Sequence, residues 1–318
     1  QYRTGRTLGK GTYSIVKEAF HIESGTRYAC KVINKKLIVG REEMFRNEIS
    51  VLNHISSTHP NIVTLHDYFE TAHNLYLCFE LCTGGMLLDV FSRRGRYREP
   101  DAARLIKNVL STVSYIHSRG IVHGDLKPSN LLFLTQDDDS EIMIADFGLS
   151  RIVDDNTLVA INEICGTPGY MAPEIFQKAE YGKPVDIWAI GVIAFFILGG
   201  YQPFRRDNEK AEQHAVVTGD FKFHPPEPWE HVSGTAKDFI TLCLTHDPMK
   251  RPKALELLNH PWLTAPNAHF QSDPAMPGQP HDLLPFIQKA TVECMSRIPS
   301  SFYYDVDNGP HYFPLHRP

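Results

Sequence analysis

The sequence predicts an α+β protein of two unequal units, a small antiparallel sheet carrying one main helix and a larger, mainly helical unit. Three observations predict it. Strand patterns crowd the first eighty or so residues around a single helical repeat. Thr83-Gly84-Gly85 then interrupts them, and beyond that break apolar residues recur mostly at helical spacing.

Taken in order, Leu8 and residues 15–20 and 27–33 read as strands, parted by the turn residues Glu23-Ser24-Gly25. Over residues 42–55, Phe45, Ile49 and Leu52 fall on one side of a helix. Residues 75–81 are a further apolar strand. Past the break, residues 100–118 read as a helix, and residues 131–134 and 141–145 as a hairpin around 136–140. Helical patterns follow at 185–198, 208–218, 234–245 and 253–259. From Ala265 the composition changes, with nine prolines in the last 54 residues, which predicts a tail with little core of its own. One periodic piece runs through it, with Leu283, Ile287, Ala290, Cys294 and Ile298 along one side. The predicted domains are therefore 1–82, 83–264 and a proline-rich tail at 265–318.

Composition narrows the function. The 318 residues suffice for a large core, and 42% hydrophobic with 22% charged residues is ordinary for a soluble protein. A net charge of −5 gives no global attraction to nucleic acid or to an anionic membrane. Six widely spread cysteines, with no Cys-x-x-Cys, argue against a zinc site and a disulfide framework. They predict a reduced, intracellular setting, and the protein is expected in the cytoplasm and also in the nucleus. The most apolar stretch, residues 187–198, is short of the about twenty residues a membrane span needs. Asp186 opens it and Gly199-Gly200 closes it, as for a buried helix. No signal peptide is in view, and the chain begins at Gln1 without methionine, which reads as a piece of something longer. A monomer is expected.

The chemistry concentrates in four places. Gly9-Lys10-Gly11 opens a hairpin that ends at Val16, and glycine there lets backbone amides approach phosphate oxygens. In the strand Tyr28 to Ile33, period-two alternation sets Lys31 between the apolar residues Ala29 and Ile33. Glu48 interrupts the helical stripe of Phe45, Ile49 and Leu52 in the same way. A charge is costly on each of two facing apolar surfaces, so the two are expected to pair. Third comes the string His123-Gly124-Asp125-Leu126-Lys127-Pro128-Ser129-Asn130. Fourth, an apolar strand delivers Asp146-Phe147-Gly148 to a loop. A lid over phosphates, cationic and metal clamps and a proton acceptor are what phosphoryl transfer from a nucleotide requires. The acidic run Asp137-Asp138-Asp139 reads instead as a solvated hairpin tip.

In order and spacing these segments resemble a protein Ser/Thr kinase catalytic domain, most like the calcium/calmodulin-dependent kinase group, over residues 2–264. The resemblance implies a bilobal fold with ATP and Mg2+ between the lobes, and γ-phosphoryl transfer to Ser or Thr of protein substrates. It implies Asp125 as catalytic base, Lys127 as a neutraliser of developing charge, and Asn130 and Asp146 as metal ligands. Lys31, held by Glu48, would bind the α- and β-phosphates beneath the hairpin of Gly9, Lys10 and Gly11. Leu8 and Val16 would cover the adenine, Ala29 and Leu132 would sandwich it, and the backbone of Glu80 and Cys82 would bind it behind a bulky Phe79. Phe147 would pack inward, Thr167 would bridge Asp125 and Lys127, Glu174 would pair with Arg251, and Asp186 would hold the catalytic-loop backbone.

The chain departs from that pattern in three ways. Gly124 stands where many kinases carry arginine, and Glu163 where relatives carry a phosphorylatable threonine, so activity is expected not to need activation-loop phosphorylation. Thr157 is the less well placed alternative. Met86 and Ser129 replace the acids that select a basic residue before the target hydroxyl, which predicts weaker basic selectivity. The amphipathic stretch after Asp282 has only Lys289 and Arg297 as basic residues, favouring docking on the chain's own large lobe over calmodulin capture. Two rivals are a binding scaffold without turnover and a small-molecule phosphotransferase. The first is disfavoured by the complete set of chemical residues, the second by the peptide-docking segment from Gly166 to Glu174.

Overall fold

The computed structural model describes residues 2–11, 14–40, 42–94, 97–153 and 166–264. Within them the chain forms two compact units, residues 2–85 with 133–143, and residues 86–132 with 144–264. The continuous part of the first unit ends at Gly85, against a predicted boundary at 82, and residues 133–143 of the predicted second domain group with it.

The first unit is a five-stranded antiparallel sheet in the order β1-β2-β3-β5-β4, made of β1 (Tyr2–Lys10), β2 (Ser14–His21), β3 (Arg27–Asn34), β4 (Leu65–Glu70) and β5 (Asn74–Glu80). Helix α1 (Glu42–Ile55) lies between β3 and β4 in sequence. Glu42 and Glu43 occupy its first turn, where negative charge suits the helix dipole. Strand alternation divides the side chains between two clusters. Ile33, Leu77 and Phe45 pack with Ile38 and half-buried Ile49, Leu65 and Phe79. Ala19, Cys30, Tyr76 and Cys78 pack with Tyr2, Tyr28 and Phe69. Each large apolar side chain buried this way contributes about 1.5–3 kcal/mol. Strand β4 has no counterpart in the sequence reading. Its residues alternate half-buried and exposed at the sheet's edge, and Leu65 and Phe69 alone supply too little aliphatic pattern.

Past β6 (Gly85–Met86), the chain enters α2 (Leu87–Arg94) and α3 (Glu99–Ser118). Short strands follow: β7 (Ile121–Val122), β8 (Leu131–Phe133), β9 (Ile142–Ile144) and β10 (Arg151–Ile152). Strands β6, β8 and β9 form one small sheet, and β7 pairs antiparallel with β10. The remaining helices are α4 (Pro173–Phe176), α5 (Pro184–Gly199), α6 (Glu209–Thr218), α7 (Gly234–Cys243), α8 (Ala254–Leu257) and α9 (Pro261–Thr264). Helix α5 is the axis of this unit, buried from Val185 to Gly199 and packed by α3 and α7. It is apolar all round because none of its faces meets water. Among the described residues no helix is long and apolar enough to cross a membrane.

Candidate active site

In the first unit, the glycine hairpin is closed by Gly9 pairing with Val16 and by the Gly11 amide donating to the Ser14 carbonyl at 2.7 Å. Thr12 and Tyr13 lie outside the described residues. Lys31 sits on β3, between Val16 of β2 and Leu77 of β5. Its Nζ is 2.8 Å from Glu48 Oε1 and 3.2 Å from Oε2. Glu48 is wholly buried on α1 beside Phe45, so the expected pairing of the two charges forms. Such a buried pair gains little net stability, because desolvation offsets the attraction. A role in holding the lysine in place explains it better.

Beyond β5, burial and the neighbouring Glu80 push the Cys82 thiol up to about 12. The following residues are bound in turn to the hairpin 133–143. The Thr83 amide donates to Leu134 O at 2.9 Å, and the Gly84 amide to Phe133 O at 3.0 Å. Gly84 has to be glycine, since a Cβ there would lie 2.0 Å from Thr135 O and 2.5 Å from Phe133 Cβ.

In the second unit, Asp125, Lys127 and Thr167 close a ring of hydrogen bonds. Lys127 Nζ donates to Asp125 Oδ2 at 2.6 Å and to Thr167 Oγ1 at 2.7 Å, and Thr167 Oγ1 donates to Asp125 Oδ1 at 2.9 Å. Thr167 comes from 42 residues downstream, at the head of the turn Pro168–Tyr170. Asn130 commits its Nδ2 to the Asp125 carbonyl at 2.8 Å and to Oδ2 at 3.4 Å, so its Oδ1 is the end left to accept. The Asn130 carbonyl in turn accepts from the Ala145 amide at 2.9 Å, which brings Asp146 beside the loop that carries Asp125. Asp146 holds φ at +63°, a conformation few residues other than glycine take but one aspartate tolerates. Among the described residues no three His, Cys, Asp or Glu side chains cluster as a metal cage. The Asn130 amide oxygen and the Asp146 carboxylate are hard oxygen donors, of the type that suits a divalent cation such as magnesium.

The loop carrying Asp125 hangs from α5. Asp186 Oδ2 accepts the His123 amide and Oδ1 the Gly124 amide, both at 2.9 Å, and His117 Nε2 lies 2.8 Å from Oδ2. Burial alone would raise the Asp186 carboxyl. The hydrogen bond and charge of His117, with the Gly124 amide, outweigh it and hold the group below the usual aspartate value. His123 Nδ1 accepts the Asp125 amide at 3.2 Å, so its other nitrogen carries the proton toward Ala145 O, also 3.2 Å away. Its ring edge meets buried Phe147. Sequence pattern places His123 beside Asp125 but assigns a task neither to it nor to His117. Polar residues inside an apolar context were the available signal, but the sequence does not say that the partner lies 69 residues on. Arg251 Nη1 and Nη2 donate to Glu174 Oε1 and Oε2 at 2.7 and 3.1 Å, deep in the unit, and the guanidinium lies over Trp188. Ala29 and Leu8 are on β3 and β1, Leu132 on β8. Thr157, Glu163 and the tail from residue 265 lie outside the described residues.

Comparison with known proteins agrees with this geometry. The model of the protein kinase domain matches residues 2–263. A calcium/calmodulin-dependent protein kinase of Emericella nidulans, cmkB, is 54% identical over 91% of this chain and 70% of that protein. A type I enzyme of Schizosaccharomyces pombe is 48% identical over 83% of this chain and 78% of its own length. The mouse type 1B enzyme is 45% identical over 86% and 77%. The antiparallel-sheet unit with its single main helix and the mainly helical unit are the N-lobe and C-lobe of the bilobal kinase fold. The chain belongs to the protein kinase family, as a Ser/Thr kinase catalytic domain most like the calcium/calmodulin-dependent kinases.

Proposed function

We propose that this kinase transfers the γ-phosphoryl group of magnesium-bound ATP to Ser and Thr hydroxyls of proteins, with Asp125 as catalytic base. The ring of Asp125, Lys127 and Thr167 carries the reading. A carboxylate held by two donors is fixed in orientation before substrate arrives, so little reorientation is left to be made when the hydroxyl is bound. Asp125 takes the proton of the attacking hydroxyl, while Lys127 balances charge gathering on the transferred group. Asn130 and Asp146 are the residues that would hold magnesium, which would supply positive charge to offset that of the phosphates. Lys31, set by Glu48, is assigned to the phosphates, and the Glu80 and Cys82 backbone to adenine, with Leu8, Val16, Ala29 and Leu132 about the ring.

Gly124 offers no cation to receive an activation-loop phosphate, and Glu163 offers no hydroxyl to carry one, so unphosphorylated protein turns over. Residues 265–318 are assigned as a regulatory tail. The similar proteins are named as calcium/calmodulin-dependent, yet the tail's sparse basic charge favours docking on its own helical lobe. The test is incubation with γ-labelled ATP and a protein substrate, with and without chelator, calcium–calmodulin and residues 265–318. Label should appear on Ser or Thr, vanish with chelator, and come from protein shown by mass spectrometry to lack phosphate. Nucleotide binding without transfer would establish the scaffold instead. A requirement for phosphate on Thr157 would remove the activation-loop claim.

A further inference from the structure

We propose that Cys30 and Cys78 form a modification site in the antiparallel-sheet lobe, where hydrogen peroxide converts the two thiols into a disulfide that staples β3 to β5. Both are free thiols, 1% and 0% exposed. They stand directly opposite one another in the β3–β5 register, and the Cys78 thiol is hydrogen-bonded to that of Cys30. Opposed residues of an antiparallel pair have Cα atoms about 4.5–5.5 Å apart. Disulfides span roughly 4.4–6.8 Å, so the bond forms with little backbone movement. Either cysteine alone would be ordinary core packing. Their opposition is what makes a bond possible.

The chemistry balances with peroxide as the oxidant. One thiol, as its thiolate, takes an oxygen and becomes a sulfenic acid. The sulfur of the other attacks it, the S–S bond forms and water leaves, so two thiols and one peroxide yield a disulfide and two waters. In the closed sheet this is slow, because contact with Cys30 and burial push the Cys78 thiol up. The cover over the pair is aromatic. Tyr2 of β1 and Phe69 of β4 pack on the cluster that holds both cysteines. Tyr2 stacks on Phe69 at 5.5 Å and donates to Asp67 Oδ2 at 3.0 Å, which joins the two edge strands of the sheet over this face. When that clasp opens, both thiols meet the oxidant together. Period-two alternation turns Cys30 away from the face that carries Lys31, so the staple leaves the Lys31–Glu48 pair alone. It closes the long loop between residues 30 and 78 and stabilises by restricting the unfolded chain.

The test exposes the full chain to graded hydrogen peroxide, alkylates the remaining thiols and maps peptides without reduction, with the unfolding temperature measured alongside. A peptide joining Cys30 to Cys78, lighter by two hydrogens, should form, and dithiothreitol should undo it. The oxidised chain should unfold about 5–15 °C later. Cys30→Ala should show no such rise. Tyr2→Ala, which removes the clasp, should form the link about tenfold faster. Met249, 76% exposed, reports that oxidant has acted, through its sulfoxide. No Cys30–Cys78 peptide by the time Met249 is oxidised, in either wild type or Tyr2→Ala, would overturn the proposal. So would sulfinic acid on both thiols, or Cys78 joined to Cys82 instead. A link that leaves the unfolding temperature unchanged, or a rise that persists in Cys30→Ala, would overturn the staple. An unaltered rate in Tyr2→Ala would overturn the clasp. None of these outcomes depends on Asp125 being the base.

Discussion

Replacing Gly84 by alanine puts the smallest possible side chain where the structure has no room. The new Cβ would stand 2.0 Å from Thr135 O, 2.5 Å from Phe133 Cβ and 2.9 Å from Phe133 O. Two of these are backbone oxygens, which no side-chain rotation can clear. The segment must lift, and the bonds from Thr83 N and Gly84 N to residues 134 and 133 stretch or break. Those two bonds contribute about 0.5–1.5 kcal/mol each. Adding the strain of a crowded contact, the total cost is about 2–4 kcal/mol. For a domain of this size that lowers the unfolding temperature by about 5–15 °C. Glu80 and Cys82 lie just before the lifted segment, so the KM for ATP should rise more than kcat falls at saturating ATP. Calorimetry and initial-rate kinetics on the purified variant read both. An unfolding temperature within about 1 °C of wild type, with an unchanged KM, would refute the close approach of residue 84 to the hairpin.

Three further outcomes are expected. Arg251→Met strands the Glu174 carboxylate in the core and should cost about 3–5 kcal/mol in urea titrations, part of which Glu174→Leu in the same protein should restore. Thr167→Val keeps the shape but opens the ring around Asp125, so kcat should fall about tenfold or more with little change in unfolding temperature. Asp186 is held below its unfolded value of about 3.9, so the folded state binds this proton less readily than the unfolded chain. Its stabilisation is present above about pH 4 and lost as pH falls through the lower folded value. The stability gap between wild type and Asp186→Asn should be level at neutral pH and shrink in acid; a gap that widens on acidification would reverse the sign.

Much of this fold is written in local pattern. Helix α1 announces itself through Phe45, Ile49 and Leu52, and α5 through an unbroken apolar run, because burial demands those spacings wherever the rest of the chain lies. Strand β4 and helix α2 escaped notice for physical reasons. The first is a polar edge strand, and the second buries Leu87, Val90 and Phe91 over barely two turns. The site residues were legible as types at fixed spacings, and Lys31 with Glu48 also through the misfit of charge in apolar stripes. What the sequence could not disclose is who holds whom at long range. That Glu99 would bind Ser233 and Trp262, or that Asp186 would collect His117 and two amides, depends on helices meeting far apart in sequence. The break at residues 83–85 was visible, but not the hairpin that makes Gly84 obligatory.

The single-turnover rate of phosphate transfer from ATP to a protein substrate, compared between the wild-type chain and Asp125→Asn at matched nucleotide affinity, goes most directly to the central claim. Nucleotide binding should survive in the variant while transfer falls by a hundredfold or more, on the order expected for removal of a positioned base. Transfer at the wild-type rate by Asp125→Asn would show that the carboxylate held by Lys127 and Thr167 is not where the proton goes.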